Sequence, residues 1–208
     1  GDATVRNGQV LRNGRVFLIN PSGVLVGQGA RVDVAGFVAS TLNLSNSDFL
    51  AGKLNFVGDT SAGKVVNAGT ITTPTGGSVY LVAPNIENNG IINTPKGETI
   101  LAAGQSVLLG DTSAPGVKVK VTGEGEATNL GQIIAQSGKV GVYGAVLRNR
   151  GTINADQVSR DANGNIVLRA KRDVTLEPGS VIGAKGASGD GGDVTVQAET
   201  GTLLADGK

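Results

Sequence analysis

Asn67-Ala68-Gly69-Thr70-Ile71, Asn88-Asn89-Gly90-Ile91-Ile92, Asn129-Leu130-Gly131-Gln132-Ile133 and Asn149-Arg150-Gly151-Thr152-Ile153 are four copies of one phrase, Asn-x-Gly-x-Ile. Their first residues lie 21, 41 and 20 positions apart, a period near twenty with one copy skipped. A fixed period of that length marks a solenoid in which every coil repeats one supersecondary unit. Asn and Gly tolerate the left-handed backbone of a sharp turn, so each copy is expected to bend the chain without Cβ strain. The Ile then points inward. Coils stacked about 4.8 Å apart bring equivalent Asn side chains, Asn67, Asn88, Asn129 and Asn149, into an amide ladder and equivalent Ile or Val into an aliphatic column. About ten such coils predict a rod of roughly 50 Å.

Between these copies runs a second phrase, in which Gly introduces an alternating strand. It reads Gly77-Ser78-Val79-Tyr80-Leu81-Val82-Ala83, Gly97-Glu98-Thr99-Ile100-Leu101-Ala102-Ala103 and Gly138-Lys139-Val140-Gly141-Val142. Gly164-Asn165-Ile166-Val167-Leu168-Arg169-Ala170 and Gly192-Asp193-Val194-Thr195-Val196 continue it. Two or three short strands per twenty residues, each ended by Gly, Asn or Pro, fit one coil of a parallel β-helix. A leucine-rich repeat would need a Leu-rich consensus and a helical segment in each copy, and neither is visible. The expected class is therefore all-β, a single-stranded parallel β-helix with coils of about twenty residues.

Departures from the period are as informative. Gly138 to Gly164 and Gly151 to Gly179 are longer steps, so Asp156 to Asn163 reads as a loop bulging from one coil. Glu177-Pro178-Gly179-Ser180-Val181 stands where Asn-x-Gly-x-Ile is due, which should interrupt the ladder. All four Phe residues, Phe17, Phe37, Phe49 and Phe56, precede residue 60, so a bulkier capping or extra-helical region is expected at the start. Leu42 to Lys64 is expected to leave the helical path. The predicted division is residues 1–64 with irregular, extra-helical strands and residues 65–208 with regular coils, all in one continuous domain. A bare last coil at Lys208, and a sequence without Met, lead to the expectation of a mature or partial chain with more protein, or another subunit, beyond it.

Composition narrows the function. Glycine occupies 34 of 208 positions without the every-third spacing of collagen. Cys and His are absent from the sequence, which removes thiolate and imidazole metal sites and the commonest acid-base residue. Eighteen basic against seventeen acidic residues leave a net charge of +1, no field for nucleic acid or anionic lipid. No apolar run reaches the length of about eighteen residues that spans a membrane. Carboxylates are scattered rather than clustered at coil spacing, unlike the calcium and acid-base sites of β-helical polysaccharide lyases. The expectation is no enzyme, no metal and no cofactor.

The stretch Gly14-Arg15-Val16-Phe17-Leu18-Ile19-Asn20-Pro21-Ser22-Gly23-Val24-Leu25-Val26-Gly27, leading into Val38-Ala39-Ser40-Thr41-Leu42, closely resembles the secretion domain of filamentous haemagglutinin family proteins, exoproteins of bacterial two-partner secretion. Asn20-Pro21-Ser22-Gly23-Val24 matches the family's Asn-Pro-Asn-Gly-Ile motif, with Ser and Val substituted. Asp48-Phe49-Leu50-Ala51-Gly52, Gly63-Lys64-Val65-Val66-Asn67 and Leu101-Ala102-Ala103-Gly104 are further matches, and the similarity is strongest from about Val10 to Asp111. The family's earlier Asn-Pro-Asn-Leu motif has no counterpart here. The resemblance implies a right-handed β-helix at the base of an adhesive rod, exported through an outer-membrane Omp85-type transporter and placed outside the cell or on its surface. The rival reading is a self-assembling extracellular fibre.

Three constellations compete with plain structure. Asn20-Pro21-Ser22-Gly23 reads as a β-turn with Pro at the second position; it is either structural, its loss impairing export indirectly, or a direct contact for the transporter. Gly189-Asp190-Gly191-Gly192-Asp193 is one partial copy of a calcium nonapeptide that needs tandem repeats, so an ordinary loop is expected. Arg148, Arg150, Arg160, Arg169, Lys171 and Arg172 form a basic cluster that could meet host-cell glycans, although the motif register sets Arg148 beside Leu176 rather than Arg169. Host glycans or self-association through end-to-end coil stacking are the partners considered beside the transporter. Asn43-Leu44-Ser45 also fits a glycosylation sequon.

Overall fold

The structure is a computed structural model that describes residues 1–58, 61–110, 119–158 and 163–208. The first coil consists of β1 (Thr4–Arg6) and β2 (Gln9–Ile19), and the second of β3 (Val24–Val26) and β4 (Arg31–Ser40). The chain then leaves the coil path through β5 (Asn43–Leu44), α1 (Asn46–Leu50) and β6 (Leu54–Val57). It returns with the third coil, β7 (Val65–Asn67), β8 (Thr70–Thr72) and β9 (Ser78–Ala83), and the fourth, β10 (Asn85–Asn88), β11 (Ile91–Asn93) and β12 (Glu98–Ala103). A second departure carries β13 (Ser106–Leu109) and β14 (Val119–Thr122). Later coils follow from β15 (Glu126–Asn129), β16 (Gln132–Ile134), β17 (Lys139–Asn149), β18 (Thr152–Asn154), β19 (Asn165–Leu176), β20 (Val181–Gly183) and β21 (Asp193–Ala198); β22 (Leu203–Ala205) opens the eighth.

Every pairing between coils is parallel, with register shifts only within β2–β4 and β17–β19 among the described residues, and the ladders form three faces. One face stacks β3, β7, β10 and β15, the next β8, β11, β16 and β18, and the third β4, β9, β12 and the first half of β17. On the third face alternate residues point inward, as the period of two requires. Phe37, Leu81, Leu101 and Leu168 are buried in this way, together with the column Ile71, Ile92, Ile133 and Ile153. Each fully buried aliphatic side chain is worth about 1.5–3 kcal/mol, so the repeated interior supplies the main cohesion of the rod.

The outward residues of the same face build a second core. Val38, Tyr80, Val82, Ile100 and Ala102 are buried beneath Leu44, Phe56, Val107 and Leu109. The covering layer is an antiparallel sheet of order β14-β13-β6-β5, in which Phe56 sits opposite Val107. It is fed by α1, whose first turn is capped by Ser45: Asp48 N–H donates to Ser45 Oγ at 3.1 Å.

This sheet changes three expectations. The copy skipped between Asn88 and Asn129 has no coil of its own, because β10 pairs directly with β15; the intervening residues include the hairpin strands β13 and β14. The coils are accordingly fewer than ten. A boundary at residue 64 does not separate side sheet from coils, since β13 and β14 lie after it and β1 to β4 are coils before it. The aromatics do not cap the end of the helix: Phe56 fills the side core, Phe37 lies in the main core, and Phe17 and Phe49 meet edge to face at 5.1 Å on the flank.

Candidate functional site

Asn20 to Val24 makes the corner at which the first coil passes into the second. Gly23 N–H donates to the Asn20 carbonyl at 3.0 Å, closing a β-turn, and Ser22 N–H donates to Asn20 Oδ1 at 3.0 Å. The remaining bonds of Asn20 fasten the turn to the first residues of the chain. Its Nδ2 donates to the Asp2 carbonyl at 2.9 Å and to Thr4 Oγ1 at 2.8 Å. From the other side Gly63 N–H donates to the Pro21 carbonyl at 2.7 Å, and Val24 N–H donates to the Lys64 carbonyl at 3.0 Å. Gly23 has φ +137°, which favours glycine, and a Cβ there would stand a tight 3.1 Å from that of Ala3.

The corner is thus clamped between the first coil and the segment that returns from the side sheet. Gly23 and Val24 are buried and Asn20 half-buried, while the Pro21 and Ser22 side chains face outward. Asp2, Thr4, Gly63 and Lys64 complete the site and were not singled out as site residues from sequence. Asp2, Gly63 and Lys64 act through backbone atoms, which leave no side-chain signature.

The four repeat asparagines lie one above another. Asn67 Nδ2 donates to Asn88 Oδ1 at 2.8 Å, Asn88 Nδ2 to Asn129 Oδ1 at 2.9 Å, and Asn129 Nδ2 to Asn149 Oδ1 at 2.8 Å. All four are at most 3% exposed, so each amide replaces its lost water with a neighbouring coil. Below the ladder Val26 faces Asn67, and above it Leu176 faces Asn149. The glycine of the phrase has a different origin from the one expected. Gly69, Gly90, Gly131 and Gly151 do not have positive φ; a Cβ on Gly90 would collide with the Gly69 carbonyl oxygen, and Gly131 and Gly151 repeat that contact. Close approach of stacked backbones, not a left-handed turn, excludes side chains there.

At the substitute turn, Ser180 N–H donates to the Glu177 carbonyl and Gly179 does have φ +86°. Ile182, not Val181, continues the aliphatic column opposite Ile153. Ahead of this turn a bulge between Ala170 and Asp173 shifts the pairing, so that Arg148 faces Thr175 and Leu176 faces Asn149.

The basic cluster is dispersed by this geometry. Arg148 Nε lies 3.2 Å from Glu126 Oε1 and Arg150 Nε 4.0 Å from Glu177 Oε2, while Arg172 pairs with Glu124. Arg160 and the middle of the Asp156 to Asn163 loop lie outside the described residues. Asp190 and Asp193 are exposed, and among the described residues no group of three or more carboxylates could hold a metal ion. The Tyr80 hydroxyl donates to Glu98 Oε1 at 3.2 Å at the margin of the side core. Burial, then the Glu98 charge, pushes the phenol up to about 12, and burial raises the Glu98 carboxyl above the usual range.

A solenoid with a clamped Asn-Pro-x-Gly corner and a four-stranded side sheet is matched by one family model, the TPS secretion domain, over residues 5–190. The chain belongs to this family. As a TPS secretion domain it is 32% identical to the HMW1 secretion domain from Haemophilus influenzae, whose crystal structure it matches with a TM-score of 0.79 over 93% of this chain and 63% of that one. It is also 30% identical, over 175 residues, to a heme/hemopexin-binding protein of Haemophilus influenzae; the match takes 79% of this chain and 17% of that protein. A second Haemophilus influenzae protein of the same description is 35% identical over 69 residues, 33% of this chain and 7% of that protein. The TPS domain therefore spans a small part of the length of these relatives. It is the secretion and folding module of a two-partner secreted protein, exported to the cell surface or the extracellular space.

Proposed function

We propose that the Asn20-Pro21-Ser22-Gly23 corner is the feature by which an outer-membrane Omp85-type transporter engages this module, and that its residues divide the work. Asn20 and Gly23 hold the corner, and Pro21 and Ser22 present it. The observation that carries this reading is the contrast between a turn hydrogen-bonded on both flanks and two outward side chains at its tip that support nothing inside. A turn serving structure alone would have no use for such a rigid mounting of exposed groups. The larger protein acts as an adhesin or comparable surface rod, for which this module is the base, and the module itself performs no catalytic step.

Export of the full exoprotein from cells carrying its transporter tests the division. Asn20→Ala is expected to lower both export and the stability of the purified module. Replacing Pro21 and Ser22 together by alanine is expected to lower export while leaving the unfolding midpoint within about 0.5 kcal/mol of the parent. Undiminished export of the double variant overturns direct engagement and leaves the corner a structural turn. The heme/hemopexin-binding activity in the relatives' names, if the larger protein shares it, would rest on residues other than His, Cys or Met within this segment, because it has none.

A further inference from the structure

The side sheet stops one strand short of the surface that could seat it. Its last strand, β14, pairs with β13 on one side and with no described strand on the other. Beside that open edge runs a groove of ≈350 Å³, lined by consecutive residues Val119 to Gly123 on one wall and by Tyr143, Gly144 and Ala145 on the other, with Arg169, Lys171 and Glu199 at its far side. The floor continues the outward column that the sheet covers elsewhere. Val82 and Ala102 are followed in register by Tyr143 and then Arg169, both of which line the groove. Tyr143 leans over Gly141, where a Cβ would strike its ring.

The charges beside the groove are unbalanced. Arg148, Arg150 and Arg172 each have a glutamate partner. Arg169 and Lys171, and Lys120 on β14, make no ion pair among the described residues, with Glu199 the lone carboxylate lining the groove. Tyr143 packs against the side core while its hydroxyl makes no hydrogen bond to a described residue. An edge whose outer N–H and C=O groups meet no described strand, the Tyr143 ring on the floor and excess cations are the requirements for adding one extended strand bearing carboxylates.

We infer that β14 is a strand-addition site for an extended, Asp- and Glu-rich segment of another polypeptide. The incoming strand pairs with β14, sets alternate apolar side chains against Tyr143, and places its acidic residues near Lys120, Arg169 and Lys171. The site lies on the folded module, away from the Asn20 corner, so it concerns a partner met after export and does not depend on how the transporter is recognised.

The probe is a fluorescent peptide of about eight residues alternating Val and Glu, titrated into the folded module beside its Val–Lys counterpart. The Val–Glu peptide is expected to bind at least about tenfold more tightly, to weaken with salt, and to lose about tenfold in affinity with the exposed pair of changes Arg169→Glu and Lys171→Glu. Amide exchange in residues 119–123 is expected to slow when it binds. Equal binding of the two peptides, unchanged exchange at β14, or an affinity indifferent to the double change overturns the inference. Binding of an acidic oligosaccharide where the peptide does not bind would overturn it as well, making the groove an anion site rather than a strand site. Thermal unfolding of the double variant, expected to match the parent, separates lost binding from lost structure.

Discussion

The second to fourth coils and the sixth and seventh share one backbone geometry yet present opposite surfaces on the same face. In the former the outward residues are Val38, Tyr80, Val82, Ile100 and Ala102, and all are buried beneath the side sheet. In the latter, Arg169, Thr195 and Gln197 occupy equivalent positions and are exposed. The inward residues hardly change, because the solenoid interior has one width. What varies is the lateral partner. A coil thus fixes the inside by repetition and leaves the outside free to record what covers it.

That difference can be broken most forcefully at Phe56, which is fully buried on the side sheet although it belongs to no coil. Phe56→Ala is expected to cost about 3–5 kcal/mol in urea unfolding, as for an aromatic in a main core, whereas Thr195→Ala on the bare coil should shift stability by less than about 0.5 kcal/mol. A small loss at Phe56 would mean that the side sheet rests on the rod without sharing its cooperativity. The corners offer a finer comparison. Gly90→Ala forces a methyl against the backbone of the coil below and is expected to cost about 1–3 kcal/mol or more, measured by thermal unfolding. Gly179→Ala, at the substitute turn, meets nothing within 4 Å and carries only the penalty of its positive φ, about 1 kcal/mol.

A further difference between the covered and the bare face is one of pH. Tyr80 ionises at about 12 in the folded state against 10.0 when free, so its contribution is complete below pH 10 and is lost as pH rises toward 12. Tyr80→Phe should therefore flatten the alkaline limb of the stability profile between those values. Tyr143, raised by burial but eased by the Arg169 charge beside it, would show a weaker limb of the same sign. An unchanged limb in Tyr80→Phe would place the alkaline sensitivity outside the side core.

Much of the rod was legible because a solenoid writes its contacts at constant separation. Asn67, Asn88, Asn129 and Asn149 revealed their corner, and Ile71, Ile92, Ile133 and Ile153 their column, since each residue touches its own counterpart one coil away. The side sheet was hidden by the same code. Ser106-Val107-Leu108-Leu109 alternates like any coil strand, and nothing local says that its partner is Leu54 to Val57 in antiparallel order. Asn20-Pro21-Ser22-Gly23 was legible as a turn, but not its fastening, because most of the groups that hold it are backbone carbonyls and amides common to every residue.

The sequence by itself determined the coil: its period, its interior column, its amide ladder and the interruption of that ladder after Asn149, although it is Leu176 rather than Glu177 that faces Asn149. Only the tertiary structure decided which strands left the coil, why the repeat glycines are needed, and which side chains of the Asn20 corner remain outside. The physical reason is range. A period reports interactions between equivalent residues at fixed separation, whereas lateral packing and backbone approach join residues that no repeat relates.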